Sequence, residues 1–449
     1  MEQNSRKLLR WPQSILGPPP GLKELNVLCW GLFVIGFMVP LCIVLVIRWK
    51  VGARFSDLLP VDFIYFYGIG QILNQHPAIR LYDYSLQLKT FNDIFPLSAD
   101  HQVWGRSPYP PFVAKFFSIF AHFSFERAFF AWMGMSFVLY IAGITAAVKA
   151  ALPKDHLRSS LIFCFSIASP LFLYFNLAVG QLATVAVFST SLAIFLERRS
   201  KPFLGGLALA LLTYKPTLLL LILPMTLVTR RFRMLTGFCT GAAALFAPST
   251  IFAGPGIWPV YIRFLQTFAG TAGFHGASSV KRWEYVDFNA VSYSIPGART
   301  SLGLALAACL LAAIAAWLVI MWRKSAGANG AIQNLVWAIT LTWTLLINVY
   351  VPVYDTLLIA LAATLAIGSL IQLGLTRIAG WNAILAILVS AASFKAESMA
   401  QNHGVQPLTL LILVLGLLQA FTLQRLFQRI SSDPKSAPHS AREQPAMNC

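Results

Sequence analysis

Residues 201–233 read KPFLGGLALALLTYKPTLLLLILPMTLVTRRFR. Two apolar segments, 203–214 and 216–228, about 12 and 13 residues long, meet at Lys215-Pro216. Cations bound the pair, Lys201 before it and Arg230, Arg231 and Arg233 after it. Crossing the hydrocarbon core takes about 20 apolar residues, so neither segment spans comfortably by itself. With basic clusters at both ends, the positive-inside rule makes the pair an out-and-back hairpin whose outer tip is Lys215-Pro216. A soluble domain has no use for such a hairpin, and the chain around it repeats the theme.

Of 449 residues, 57% are hydrophobic and 11% charged, with mean hydropathy +0.68. A soluble domain carries about 25% charged residues, so most of this surface faces lipid. Apolar runs recur from Leu25 to Phe427. Period-2 alternation between turn clusters is missing, which argues against a barrel; each span must satisfy its own backbone, which leaves helices. The fold class is therefore all-α and polytopic. The formal charge of +18 sits in short clusters between apolar runs, as membrane topology requires, and is not read as a nucleic-acid footprint. Cys29, Cys42, Cys164, Cys239 and Cys309 lie in apolar runs and Cys449 is the last residue, without zinc-type spacing.

Working outward, the basic segment 1–25 is expected in the cytoplasm, and the first span, 26–47, to be an uncleaved helix rather than a signal peptide. A long outer loop, 48–126, follows. Spans are expected at 127–148, 159–175, 181–196, the hairpin 203–214 and 216–228, 234–252, 299–321, 331–349, 353–373, 378–394 and 404–427, about twelve in all. A second long outer loop covers 253–296. The membrane-embedded unit is 26–427, and 428–449, rich in Ser, Pro and charge, is expected to be a disordered cytoplasmic tail. Both termini are then cytoplasmic, and the inner segments hold the larger share of Lys and Arg. The acids Asp57, Asp62, Asp83, Asp93, Asp100, Glu126, Glu284, Asp287, Asp355 and Glu397 all fall on the outer side.

The first outer loop carries two amphipathic stretches, 61–73 and 84–94, and an apolar one, 110–123, too short to span. These read as helices lying in or dipping into the membrane surface. Asp62 opens the first of them, either as an acid favouring a helix N-terminus or as a general base at the lipid–water boundary. Asn176 and Gln181 flank the Gly180 turn, either satisfying helix ends or binding sugar hydroxyls. Lys215 either snorkels to the interface or binds a lipid phosphate. Tyr354 and Asp355 open a late span, with Asp355 either capping it or acting as an intramembrane functional acid.

The order of these features carries a resemblance: one helix, a long outer loop with the early Asp62, Leu81-Tyr82-Asp83, Tyr109-Pro110-Pro111, Gly180-Gln181, and Lys215-Pro216 before a basic inner loop. It resembles glycosyltransferase family 87, formerly the DUF2029 group, over residues 25 to 394. The resemblance implies a GT-C-like helical bundle on the outer face of the plasma membrane. It further implies an inverting enzyme that takes a mannose- or arabinofuranose-like sugar from a polyprenyl-phosphate donor and passes it to a glycolipid or glycan acceptor. The family's catalytic loop Asp falls on Asp62 and its Lys-Pro on Lys215-Pro216. Where many members have a His-Tyr pair, this chain has Tyr354-Asp355, and the family's Asn/Ser element in the second outer loop is matched loosely by Asn289 and Ser292. In this reading Asp62 deprotonates the acceptor, while Lys215, Arg106 and Arg282 stabilise the leaving phosphate. Tyr109, Asn176, Gln181, Asn289, Tyr354 and Asp355 contact substrate. Neither a cofactor nor a bound metal is expected. A lipid-linked sugar flippase, which should show repeated halves, and an O-antigen ligase-like enzyme are the alternatives.

Overall fold

A sequence of apolar runs separated by charged links can fold only as packed helices, and the computed structural model has that form. It describes residues 62–94, 106–152, 169–271 and 282–432, with isolated positions between 30 and 46. The expected first span, the start of the expected span at 159, Asp57, Asp100 and the tail from 433 lie outside the described residues.

The first long loop folds into three helices, α1 (Phe63–Gln75), α2 (Tyr84–Ile94) and α3 (Pro111–Phe120). α1 packs on both α2 and α3 through an aromatic cluster in which Phe63 and Phe66 meet Phe117 at ring distances of 6.0 and 5.2 Å. Then come α4 (Phe125–Ala151), α5 (Ala183–Arg198), α6 (Pro202–Ala210), α7 (Ile222–Val228) and α8 (Phe232–Ala253). The remaining helices are α9 (Ile257–Thr271), α10 (Phe288–Ser292), α11 (Ser301–Ser325), α12 (Gly330–Leu346), α13 (Leu358–Gln372), α14 (Thr376–His403) and α15 (Pro407–Ser432). No strand forms among the described residues; a lone bridge joins Tyr285 to Pro352.

Six helices are long and apolar enough to cross a membrane: Phe125–Ala151, Phe232–Ala253, Ser301–Ser325, Val353–Gln372, Thr376–His403 and Pro407–Ile430. Pro202–Tyr214, Pro216–Val228 and Gly330–Leu346 are apolar but shorter, so six of the expected dozen are long enough by length and composition among the described residues. Val353–Gln372 is the central helix, buried over 94% of its apolar window, whereas Ser301–Ser325 is buried over only 11% and lies at the periphery. Within the short hairpin, α6 reaches α8 by backbone contact. A Cβ on Gly206 would fall on the Met234 carbonyl and one on Gly237 on that of Phe203, the small-residue packing that lipid-embedded helices favour.

Several boundaries differ from the sequence reading. The second long loop contains α9, whose Ile257, Tyr261 and Phe264 are buried at helical spacing. The expected span 378–394 continues as helix to His403, because nothing stops it until Gly404 (φ 67°) takes the left-handed C-cap. The expected span 331–349 ends at Leu346. α15 runs on to Ser432, so the tail does not begin at 428. The expected loop 176–180 is instead entered through a π-helical turn, Leu173–Ala178.

Polar side chains tie one end of the bundle together. Glu197 pairs with Arg231 and accepts Trp337 Nε1–H at 3.0 Å. Arg198 donates to Asn334 at 2.9 Å, and Asn334 donates to the Ala150 carbonyl at 3.0 Å. This end gathers the termini of α4, α5 and α12 with the basic link before α8. The long loops gather at the other end.

Candidate functional site

Gly180 is the pivot of that loop end. Its φ of 85° is a conformation that glycine adopts without strain, and a Cβ there would meet Phe63 Cβ at 2.8 Å. The N–H groups of Gly180 and Gln181 both donate to the Asn176 carbonyl at 3.0 Å, and Trp132 Nε1–H donates to the Gly180 carbonyl at 2.9 Å. Phe63 N–H donates to the Val179 carbonyl at 3.1 Å. The start of α1 is thereby fixed against a turn more than a hundred residues away.

Asp62 precedes α1 but makes no side-chain cap. Its carboxylate instead accepts Gln181 Nε2–H at 2.5 Å. Asn176 is fully buried and donates to the carbonyls of Leu171 (2.8 Å) and Tyr354 (3.2 Å). The other amide oxygens, Asn176 Oδ1 and Gln181 Oε1, are buried acceptors with no donor among the described residues.

Lys215 does not snorkel. It is 8% exposed and forms an ion pair with Asp355, which is 1% exposed. The rings of Tyr350 and Tyr354 stand 5.1 and 5.2 Å from its ammonium, within cation–π range. Asp355 is therefore the counter-ion of Lys215 and not a helix cap. Tyr109 joins the two halves. Its hydroxyl hydrogen-bonds with Tyr354, and its ring stacks on Tyr214 at 6.4 Å. Burial, and after it the neighbouring Tyr350 phenol and the carboxylates of Asp355 and Asp62, pushes the Tyr109 phenol upward, so it stays neutral at physiological pH.

Asp287, one of the acids expected on the outer side, and two tyrosines that the sequence did not single out frame this cluster. Asp287 is fully buried and accepts the N–H groups of Ala290 and Val351, each at 2.9 Å. It clasps the second long loop to the 349–352 segment. Burial pushes its carboxyl upward against those bonds. Tyr350 hydrogen-bonds with Tyr285, their ring centroids 4.7 Å apart. Burial pushes Tyr350 upward, and it also feels the charges of Asp355, Glu284 and Asp62. Its place four residues before Tyr354, across Pro352, is the only sequence signal.

Seven of the ten residues singled out from sequence therefore converge: Asp62, Tyr109, Asn176, Gln181, Lys215, Tyr354 and Asp355. Arg106 and Arg282 make their contacts elsewhere, Arg106 over the ring of Tyr84 at 4.2 Å and Arg282 over that of Tyr293 at 3.4 Å. Asn289 donates to the Val349 carbonyl at 3.3 Å and accepts from Arg299 at 3.1 Å, at the edge of the cluster. An acid on one side, a buried cation on the other and neutral phenols between them are the parts of an acid–base transfer site.

The model of glycosyltransferase family 87 matches residues 108–348, more than half of the chain. The match includes Tyr109, Asn176, Gln181 and Lys215, ends shortly before Asp355 and begins well after Asp62. No curated protein and no solved structure matches.

Proposed function

The chain belongs to glycosyltransferase family 87 and is a membrane glycosyltransferase, and from that premise we propose that residues 26–427 form one unit that transfers a sugar from a polyprenyl-phosphate donor. The acceptor is a glycolipid or glycan, and transfer takes place on the outer face of the plasma membrane. The supporting observation is the convergence of Asp62 and the Lys215–Asp355 pair around Tyr109, at the end of the bundle opposite the basic clasp. Cations gather on the cytoplasmic side of membrane proteins, so the loop end faces outward.

The chemistry follows from the parts. Asp62, oriented by Gln181, takes the proton of the acceptor hydroxyl. The acceptor oxygen bonds to the sugar's anomeric carbon as the bond from that carbon to the phosphate oxygen breaks. The electron pair leaves with the phosphate, whose charge Lys215 stabilises after exchanging Asp355 for it. In-line displacement inverts the anomeric configuration. The unpartnered amide oxygens of Asn176 and Gln181 are suited to accept hydrogen bonds from sugar hydroxyls.

Asp62→Asn tests the assignment. Removing a general base typically costs about 10²–10⁴-fold in rate. The variant, purified and reconstituted with a polyprenyl-phosphate sugar, is expected to lose transfer on that scale while still binding donor. Asp93→Asn, an exposed acid in the same loop, is the silent control. Transfer by Asp62→Asn within a few-fold of wild type would return Asp62 to a structural role.

A further inference from the structure

Beyond the Lys215 cluster lies a separate cleft of about 200 Å³ between the second long loop and the end of α14. Arg282, Trp283, Tyr285, Tyr293, Ser294 and Gln406 line it. Space is left by small residues: Ala290 from α10, Ala400 from the last turns of α14, and Gly404 beyond them. The cleft is built rather than accidental. Gln406 is buried and donates to the Trp283 carbonyl at 2.9 Å, and Thr409 donates to the Val286 carbonyl at 2.6 Å. Both bonds hold the start of α15 against the loop. Tyr293 is itself held, with the guanidinium of Arg282 at 3.4 Å and that of Arg299 at 4.0 Å from its centroid. One ring face cannot seat both, so they sandwich it.

We propose that this cleft seats one sugar residue of the acceptor, with Tyr285 and Tyr350 as the partition between it and the Lys215–Asp355 pair. The inference rests on the glycosyltransferase reading above and adds to it the location of the acceptor. Three observations support it. The lining combines the rings of Trp283 and Tyr285 with an amide, a hydroxyl and a guanidinium, the mixture that binds the apolar faces and the hydroxyls of a sugar ring. The volume falls below the roughly 300–1,000 Å³ of sites for drug-sized ligands, so it holds a single sugar ring and not a chain of them. The position is right as well. Tyr285 lines the cleft and stands 4.7 Å from Tyr350, which stands 5.1 Å from the Lys215 ammonium and feels the charge of Asp62. A sugar seated there lies one aromatic pair away from the Lys215–Asp355 pair, so it is the neighbouring residue of the acceptor whose hydroxyl reaches Asp62. Arg282, expected from sequence to serve the leaving phosphate, becomes an acceptor contact.

The test uses the full chain in phosphatidylcholine nanodiscs and water-soluble methyl glycosides (mannoside, glucoside and arabinofuranoside) as probes. Saturation-transfer NMR reads magnetisation passed from protein to the sugar-ring protons. Transfer to at least one glycoside is expected in the wild type. It should be lost in Ser294→Trp, which fills the cleft from an exposed position, and in Tyr293→Ala, which removes a wall. It should persist in the double variant Lys215→Met, Asp355→Leu. Transfer to none of the glycosides, transfer that survives both cleft variants, or transfer that disappears only in the double variant each overturns the proposal. Polyprenyl-phosphate binding, measured in the same nanodiscs, reports on the donor site separately. It should be weakened in the double variant and unchanged in Ser294→Trp, so a failure of the donor reading is visible whatever the glycosides do.

Discussion

Removing one member of the Lys215–Asp355 pair should damage the protein more than removing both. Lys215→Met leaves Asp355, which is 1% exposed, without its cation. Breaking a buried pair from one side costs about 3–5 kcal/mol, because the remaining charge is stranded. The two cation–π contacts of the ammonium with Tyr350 and Tyr354 add about 0.5–2 kcal/mol each. Replacing both partners with apolar groups removes the stranded charge; such exchanges are often neutral or stabilising by about 1–4 kcal/mol, here offset by the lost cation–π contacts. The expected order of thermal stability in detergent is therefore wild type close to Lys215→Met, Asp355→Leu, with either single variant several kcal/mol below. Activity should follow a different order, with the stable double variant inactive because it offers the donor phosphate no cation. If Lys215→Met is as stable as wild type, the pair does not contribute to the fold as described. If the double variant transfers sugar at the wild-type rate, Lys215 does not stabilise the leaving phosphate, whatever its structural part.

Gly180→Ala should lower both stability and turnover, since a side chain at φ 85° costs about 1–3 kcal/mol in strain and its Cβ would push Phe63, and with it Asp62, out of place; thermal scanning and the transfer assay read this. Gly134→Ala, where a Cβ meets nothing within 4 Å, should leave turnover unchanged and is the matched control. Membrane sidedness predicts that, in a background without the chain's six cysteines, Asn289→Cys reacts with an impermeant thiol reagent in intact spheroplasts and Lys201→Cys does not. The reverse pattern would turn the site to the cytoplasm and remove the polyprenyl-phosphate mechanism with it.

The helices were legible where hydropathy alone decides them. Phe125–Ala151, Phe232–Ala253 and Ser301–Ser325 fall close to their expected bounds because an apolar run flanked by charge has one solution in a bilayer. Legibility failed where a helix is not apolar throughout. α9 is only 15 residues long, spaces buried Ile257, Tyr261 and Phe264 among more exposed positions and packs on the first long loop, Tyr261 donating to the Pro108 carbonyl at 3.3 Å; within a 44-residue interval between expected spans it is too short to stand out as a helix of the bundle. The extension of α14 past 394 failed for a related reason. Lys395 and Glu397 end the apolar run but not the helix, and only the left-handed Gly404 ends that.

The candidate site divides along another line. Residue types and their place beside apolar runs are legible in the sequence, which picks out Asp62, Gln181, Lys215 and Asp355, but as separate features with separate roles. Their partnerships span 119 positions for Asp62 and Gln181, and 140 for Lys215 and Asp355, and no local pattern encodes a contact at that range. The consequence is chemical. Read alone, Asp355 is either a helix cap or an isolated intramembrane acid. Paired, it is the counter-ion that a buried ammonium needs, and in the mechanism proposed above a phosphate takes its place. The same step separates Arg106 and Arg282 from the phosphate. They were grouped with Lys215 because all three are cations on the outer side, and the fold sends each to a different aromatic ring, Tyr84, Tyr293 and the Tyr350–Tyr354 pair.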